Sequence, residues 1–260
     1  MNAITDELRA CAEREGIHAG VNGALHEQDF ILHFLLNNPC FKKPEDAIGY
    51  YFREGKQSAI QLSQLLFEEL GLKRESKASI LEFAAGYACV TRHLPESLTP
   101  WKIISCDIHP EANAFNAAHF GVQTLQSTTK PEDFPNGSKF QAVFALSFFS
   151  HMPPASWSRW LQCLWKCVEY GGFLIFTTQG SASRQHFNNP EIPKDGIWFS
   201  PSSEQGDLST QDYGQTIVTI PFVLEQVRAM LPGAYPRLIR PGYWWSHQDL
   251  YVIGHLPQKD

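Results

Sequence analysis

Two acids, a turn of small residues and a histidine are the groups in this sequence placed to do chemistry. Glu82 ends the apolar run Ser79-Ile80-Leu81 and leads into Phe83-Ala84-Ala85-Gly86-Tyr87-Ala88. Small residues there let the backbone approach a ligand, and Gly86 also permits positive φ. Asp107 ends a second apolar run about 20 residues later, the offset of an acid that hydrogen-bonds ribose hydroxyls. A further run leads into Leu146-Ser147-Phe148-Phe149-Ser150-His151. An imidazole, with an ordinary pKa of about 6.5, suits a general base at neutral pH. His151 is the first candidate for that role and His247 the second. The competing reading of His151 is a cap for the helix that begins near Pro153-Pro154, or a plain ligand contact.

Strands and helices must position these groups. Residues 80–83, 102–107, 121–125, 142–146 and 173–178 read as strands, the last entered through a Gly171-Gly172 turn. Helices fit over 90–94, 111–119 and 157–168. A helix over 221–231, with Pro221 in its first turn, precedes two closing strands at 237–240 and 249–253. This alternation predicts an α/β fold, a doubly wound, mainly parallel sheet of seven strands. Ligands of such sheets bind beyond the carboxyl ends of the strands, where Glu82, Asp107 and His151 fall. Residues 1–76 read as an N-terminal helical extension, a cap or substrate region, with Ile60, Leu62, Leu65, Leu66 and Leu70 at helical spacing. The ligand-binding domain then spans 77–260. Within it, 181–212 is rich in Ser, Asn, Gly and Pro, and Phe187, Ile197, Trp198 and Phe199 anchor it as an expected lid. Trp157, Trp160, Leu161, Leu164 and Val168 form a stripe expected to pack on the sheet. Tyr243-Trp244-Trp245 lies in the loop predicted between the last two strands. Three adjacent aromatics cannot all face one core, so one is expected at a pocket or interface.

The 260 residues are 43% hydrophobic, enough for a sizeable core. Twenty-one basic residues face 27 acidic ones, for a net charge of -6 with no basic run, which argues against a nucleic-acid partner. No apolar stretch has membrane-spanning length. The start MNAITDELRACAERE lacks the pattern of a signal peptide, so a cytoplasmic location is expected. The six scattered cysteines fit reduced thiols. Cys163 and Cys167, one helical turn apart, lack the partners of a metal site, and no metal is expected. The oligomeric state is open, a homodimer included.

The run LEFAAGYACVTRHL, Leu81 to Leu94, resembles the first motif of class I S-adenosylmethionine-dependent methyltransferases. It is similar to small bacterial methyltransferase domains that read LDFGCGYGRVTRHL. The stretch from Phe140 to Gly180 and the closing HQDLYVI resemble the same group, so the likeness covers roughly 77–256. It implies a Rossmann-like fold, S-adenosyl-L-methionine as cofactor, and methyl transfer to a small-molecule or glycan acceptor. By this resemblance Glu82 orients the loop and holds the methionine ammonium, directly or through water. Phe83 belongs to the same loop, and Ala84, Gly86 and Ala88 line the methionine and ribose. Asp107 holds the ribose hydroxyls and Ile108 lies against the adenine, whose edge meets Ser127 and Thr128. Leu146 and Ser147 floor the methionine. The run from Tyr50 to Gly55 resembles a motif that covers the cofactor, which adds Tyr51 and Gly55. The departures are Ala84 and Ala88 in place of glycines and Gln141 in place of a common Asp. An alanine there costs little at negative φ and is strained at positive φ.

Two other readings compete. A nicotinamide-dependent Rossmann enzyme needs G-x-G-x-x-G, which AAGYAC fits poorly. A catalytically inactive methyltransferase-like partner or regulatory subunit would account for the two alanines, but Glu82, Gly86 and Asp107 are all kept. In the enzyme reading the reaction is an in-line displacement at a methyl carbon. Positioning can then supply roughly 7–11 kcal/mol, and Tyr51 or Tyr87 could turn an aromatic face to the sulfonium.

Overall fold

The computed structural model describes residues 3–135, 137–202, 205 and 208–256. Parts of the expected lid (203–204, 206–207) and the last four residues of the expected domain lie outside the described residues. The chain forms two compact units, 1–126 and 127–260.

Three helices open the first unit: α1 (Asp6–Ala19), α2 (Phe30–Leu36) and α3 (Pro44–Gln64). The Thr5 hydroxyl accepts the Leu8 N–H at 3.3 Å to start α1, and Gly20 ends it in the left-handed region. Asp29 caps α2 through the Leu32 N–H at 3.0 Å. Pro44 stands in the first turn of α3, which runs on into a single π turn at Leu65–Glu69. Leu32, Ile48, Tyr51 and Phe52 are among the buried core of these helices. There follow β1 (Ser79–Phe83), α4 (Leu94–Ser97), β2 (Lys102–Asp107), α5 (Pro110–Phe120) and β3 (Gln123–Gln126). The strands are parallel, β2 between β1 and β3, with Ser79 opposite Lys102 and Ile104 opposite Gln123. The helix expected over 90–94 is instead a 3-10 turn, Thr91–His93, followed by α4. Pro95 has no N–H to return to the Thr91 carbonyl, so the helix restarts at Leu94 with proline in its first turn.

The second unit holds β4 (Phe140–Ala145), α6 (Pro154–Trp165), β5 (Val168–Gln179), β6 (Ile197–Ser200), β7 (Gln215–Val218), α7 (Ile220–Met230), β8 (Ala234–Trp244) and β9 (Gln248–His255). β5 runs parallel to β4 and meets β7 at Gln179 and Ile217. β9 lies antiparallel to β5, and β8 antiparallel to β9. Gly171-Gly172 does not precede β5 but sits inside it. The ladder shifts between Phe140 opposite Val168 and Ala142 opposite Phe173, and Gly171 takes φ 83 at this bulge. The Tyr243-Trp244 part of the expected loop is strand, because Trp244 is fully buried with its ring 5.4 Å from that of Phe144. The expected lid carries its own structure: a 3-10 segment, Ser181–Phe187, and β6, which pairs antiparallel with β7. These two strands raise the count from the seven expected to nine among the described residues. The expected stripe is buried, Trp157 and Leu161 completely, but the helix expected over 157–168 spans 154–165, and Val168 already belongs to β5. Cys163 and Cys167 face that core, and burial pushes their thiols up to about 12 and about 11. Among the described residues no helix is long and apolar enough to cross a membrane.

Candidate functional site

In the first unit β1 ends in a loop whose backbone alternates in hand. Ala84 (φ 57), Gly86 (φ 57) and Ala88 (φ 66) are left-handed, while Ala85 and Tyr87 between them are not. Such alternation makes a concave nest of backbone N–H groups. The Ala85 N–H donates to the Cys106 carbonyl at 3.0 Å and the Gly86 N–H to Asp107 Oδ2 at 2.8 Å. Both alanines therefore stand in the strained conformation. Where Gly86 would carry a Cβ there is no protein atom within 4 Å, so this side of the loop has room for a ligand.

Asp107 is held firmly. Its Oδ1 accepts the His109 N–H at 3.0 Å and lies 2.8 Å from His109 Nδ1. Behind it Asn113 Nδ2 donates to the Asp107 carbonyl and to Gln126 Oε1, both at 3.0 Å. Gln126 Nε2 in turn reaches the Ile108 carbonyl at 2.7 Å. Asn116 Nδ2 donates to the Gly86 carbonyl at 2.9 Å.

Glu82 is buried and its Oε2 has no hydrogen-bond partner. Burial pushes its carboxyl up to about 8; the Asp107 charge adds to this and the nearby Thr91 hydroxyl offsets part of it. A buried acid with an unpartnered oxygen beside an open loop suits a cationic partner.

The brace of the loop is Arg92, which sequence reasoning missed. Its Nε donates to the Ala88 carbonyl at 2.8 Å. Nη1 donates to the Asn22 and Ala24 carbonyls at 3.2 and 3.1 Å. Nη2 donates to the Tyr87 carbonyl and the Tyr51 hydroxyl, both at 3.4 Å. The guanidinium lies 4.8 Å from the centre of the Phe52 ring. All five donors are engaged, two of them on carbonyls of the strained turn. The only signal in sequence is its place four residues after Ala88.

Tyr51 and Gly55 support this loop from α3. Tyr51 is fully buried, its hydroxyl 2.7 Å from Asp29 Oδ2 and 3.2 Å from the Tyr87 carbonyl. A Cβ on Gly55 would fall on the Cys89 carbonyl oxygen. The ring faces expected for a sulfonium have partners within the fold. Arg92 lies over Tyr51 at 5.2 Å, and Tyr87 stacks on His26 at 4.4 Å. Phe83 is buried and Ile108 half-buried.

In the second unit Ser127 is buried, and the exposed Thr128 hydroxyl donates to the Lys130 carbonyl at 2.7 Å. Leu146 and Ser147 follow β4, both half-buried. Ser147 is left-handed at φ 61, held by its N–H to Thr177 Oγ1 (2.8 Å) and by Gln248 Nε2 on its Oγ (2.8 Å). His151 does not cap α6, whose N-cap residue is Pro153 and which has no side-chain cap. Its Nδ1 lies 2.9 Å from the Gly214 carbonyl, its own carbonyl accepts the Gly214 N–H at 2.9 Å, and its ring stacks on Tyr213 at 4.4 Å. His247 sits apart at the β8–β9 turn, with Nδ1 2.8 Å from the Trp245 carbonyl.

Residues 81–174 match a family model described as a methyltransferase domain. Comparison with curated protein sequences finds no match. Among solved structures the chain is similar to an S-adenosylmethionine-dependent methyltransferase from Clostridium acetobutylicum ATCC 824, with TM-score 0.53 and 10% identity over 79% of this chain and 92% of that one. It is similar to DesVI of Streptomyces venezuelae, with TM-score 0.55 and 14% identity over 79% and 94%. It is also similar to the 1,6-didemethyltoxoflavin-N1-methyltransferase of Burkholderia thailandensis, whose structure holds 1,6-didemethyltoxoflavin and S-adenosylhomocysteine; there the TM-score is 0.54 and the identity 13% over 90% and 93%. At these identities the likeness is one of fold.

Proposed function

We propose that this chain, a class I S-adenosylmethionine-dependent methyltransferase by domain and fold, moves a methyl group to a small-molecule or glycan acceptor by in-line displacement. The observation that carries the reading is the buried, unpartnered Oε2 of Glu82 in the same unit as the nest and Asp107. When bound, the cofactor supplies a methyl group made electrophilic by its sulfonium. Glu82 holds the ammonium. Asp107 has about four lone-pair sites as a carboxylate, of which Gly86 and His109 use three, leaving one for a ribose hydroxyl. In the first unit Phe83, Ala84, Gly86, Ala88 and Ile108 line this ligand; in the second, Ser127, Thr128, Leu146 and Ser147 are the residues that the resemblance assigns to it. Tyr51 and Gly55 hold the loop in shape. A carbonyl only accepts, so Nδ1 of His151 carries the proton and the lone pair of the neutral ring is on Nε2. That tautomer can take a proton from an acceptor, which is the role assigned to His151, with His247 second.

One observation favours the second reading, an inactive partner or regulatory subunit: both loop alanines are at positive φ, and Asp107 is already engaged by the fold. Calorimetric titration with S-adenosylhomocysteine separates the two. Micromolar binding, about -8 kcal/mol, lost in Asp107→Ala, supports the enzyme. No binding by the wild-type chain supports the inactive subunit.

A further inference from the structure

The β8–β9 turn is built in a way that hairpin formation alone does not explain. The His247 N–H returns to the Trp244 carbonyl at 3.1 Å, and the two central residues, Trp245 (φ 50) and Ser246 (φ 60), are both left-handed. Turns of this hand take Asn-Gly or Asp-Gly. A bulky side chain there is an outlier that the surroundings must enforce, and such outliers gather at ligand sites.

The enforcement is visible. His247 Nδ1 donates to the Trp245 carbonyl at 2.8 Å, and the Ser183 hydroxyl donates to the His247 carbonyl at 2.7 Å. Asp249 Oδ1 accepts the Gly242 N–H at 2.8 Å just inside the turn. The result is a short row of rings. The half-buried Trp245 lies 6.2 Å from His247 with planes 25° apart, and His186 stands edge-on to His247 at 5.1 Å. The fixed Nδ1 proton leaves the lone pair of the His247 ring on Nε2. Burial, together with the neighbouring His186, holds the imidazole below its ordinary range and so neutral at pH 7.

We propose that Trp245 and His247 form an acceptor subsite for a planar aromatic or heteroaromatic molecule that carries an in-plane N–H or O–H. The indole supplies a stacking face and His247 Nε2 accepts the donor. This assigns His247 to holding the acceptor, and leaves His151 as the base. The subsite's place in methyl transfer rests on the function proposed above, but binding to it is measurable without the cofactor.

The test is ligand-observed NMR titration of the whole chain with 2-naphthol, its methyl ether and decahydro-2-naphthol. The expected result is millimolar or tighter binding of 2-naphthol, at least fivefold weaker binding of the ether, and none of the saturated ring. In Trp245→Asn, which accepts the left-handed turn, 2-naphthol binding falls at least fivefold. In His247→Leu the preference for 2-naphthol over its ether disappears. Equal binding of the flat and saturated rings to wild type overturns the proposal without reference to any variant, as does a 2-naphthol affinity unchanged in a cooperatively melting Trp245→Asn. A parallel titration with S-adenosylhomocysteine reports on the cofactor alone, so failure of either reading is seen separately.

Discussion

Alanine in the left-handed region costs roughly 1–2 kcal/mol, and the loop after β1 holds two such residues, Ala84 and Ala88. Replacing either by glycine relieves that cost but adds about 0.4–1 kcal/mol of unfolded-chain entropy. The two sites then differ. Ala88 is fully buried, so its lost methyl removes a further contribution of about 0.8 kcal/mol. Ala84 is exposed and loses no such packing. Ala84→Gly is therefore expected to stabilise the chain by about 0.5 kcal/mol and to tighten S-adenosylhomocysteine binding, while Ala88→Gly changes stability little or lowers it slightly. Urea denaturation and calorimetry on the two variants check this. Glu82 and Asp107 were legible because an acid ending an apolar run needs no tertiary information. The sign of φ at 84 and 88 was not, since it depends on Asp107 pulling in the Gly86 N–H and on Arg92 gripping the Ala88 carbonyl. A buried arginine whose partners are four backbone carbonyls and a tyrosine hydroxyl leaves no complementary acid in the sequence to betray it.

The elements that present the loop are legible to different degrees. β1, β2, β4 and the core of β5 are short apolar runs, and α5, α6 and α7 carry clear periodicity or proline starts, so their existence followed from pattern. β6 and β7 did not stand out, because four-residue strands in a polar segment become visible only when paired. β8 extends past its expected end because Trp244 buries its ring beside Phe144. The role of α3 was also hidden. Its face toward the loop is set by a glycine: the resemblance marks Tyr51 and Gly55 as cofactor cover, but nothing in the sequence shows that Gly55 leaves room for the Cys89 carbonyl. Gly55→Ala would place a methyl on the Cys89 carbonyl oxygen. It is expected to destabilise the chain by about 1–3 kcal/mol and to weaken S-adenosylhomocysteine binding. Substitution of Gly71, where a Cβ has open space but φ is 70, should cost only its backbone strain and leave binding unchanged. Thermal melting of both variants with and without the ligand makes the comparison.

At the scale of the whole molecule, strand–helix alternation and one fourteen-residue run identified the fold, and the family match over 81–174 agrees with it. The acceptor was not legible in the same way. The rings at the β8–β9 turn bring His186 to His247, and those at His151 bring in Tyr213; each cluster joins segments far apart in sequence, and no local spacing announces either. The central claim is that the buried acid of the loop receives the ammonium of the cofactor, and its proton makes that measurable. Glu82 is raised to about 8 in the free chain, so at pH 7 it is mostly protonated. An ammonium favours the ionised form, so binding must expel that proton, and affinity must rise with pH through about 8 and level off above it, where the free acid is already ionised. Calorimetric titration with S-adenosylhomocysteine at pH 7 in phosphate and in Tris, which differ in ionisation enthalpy, reads the proton directly. The account predicts release of close to one proton on binding, abolished in Glu82→Gln. Binding whose heat is the same in both buffers, or no binding at all, would contradict it.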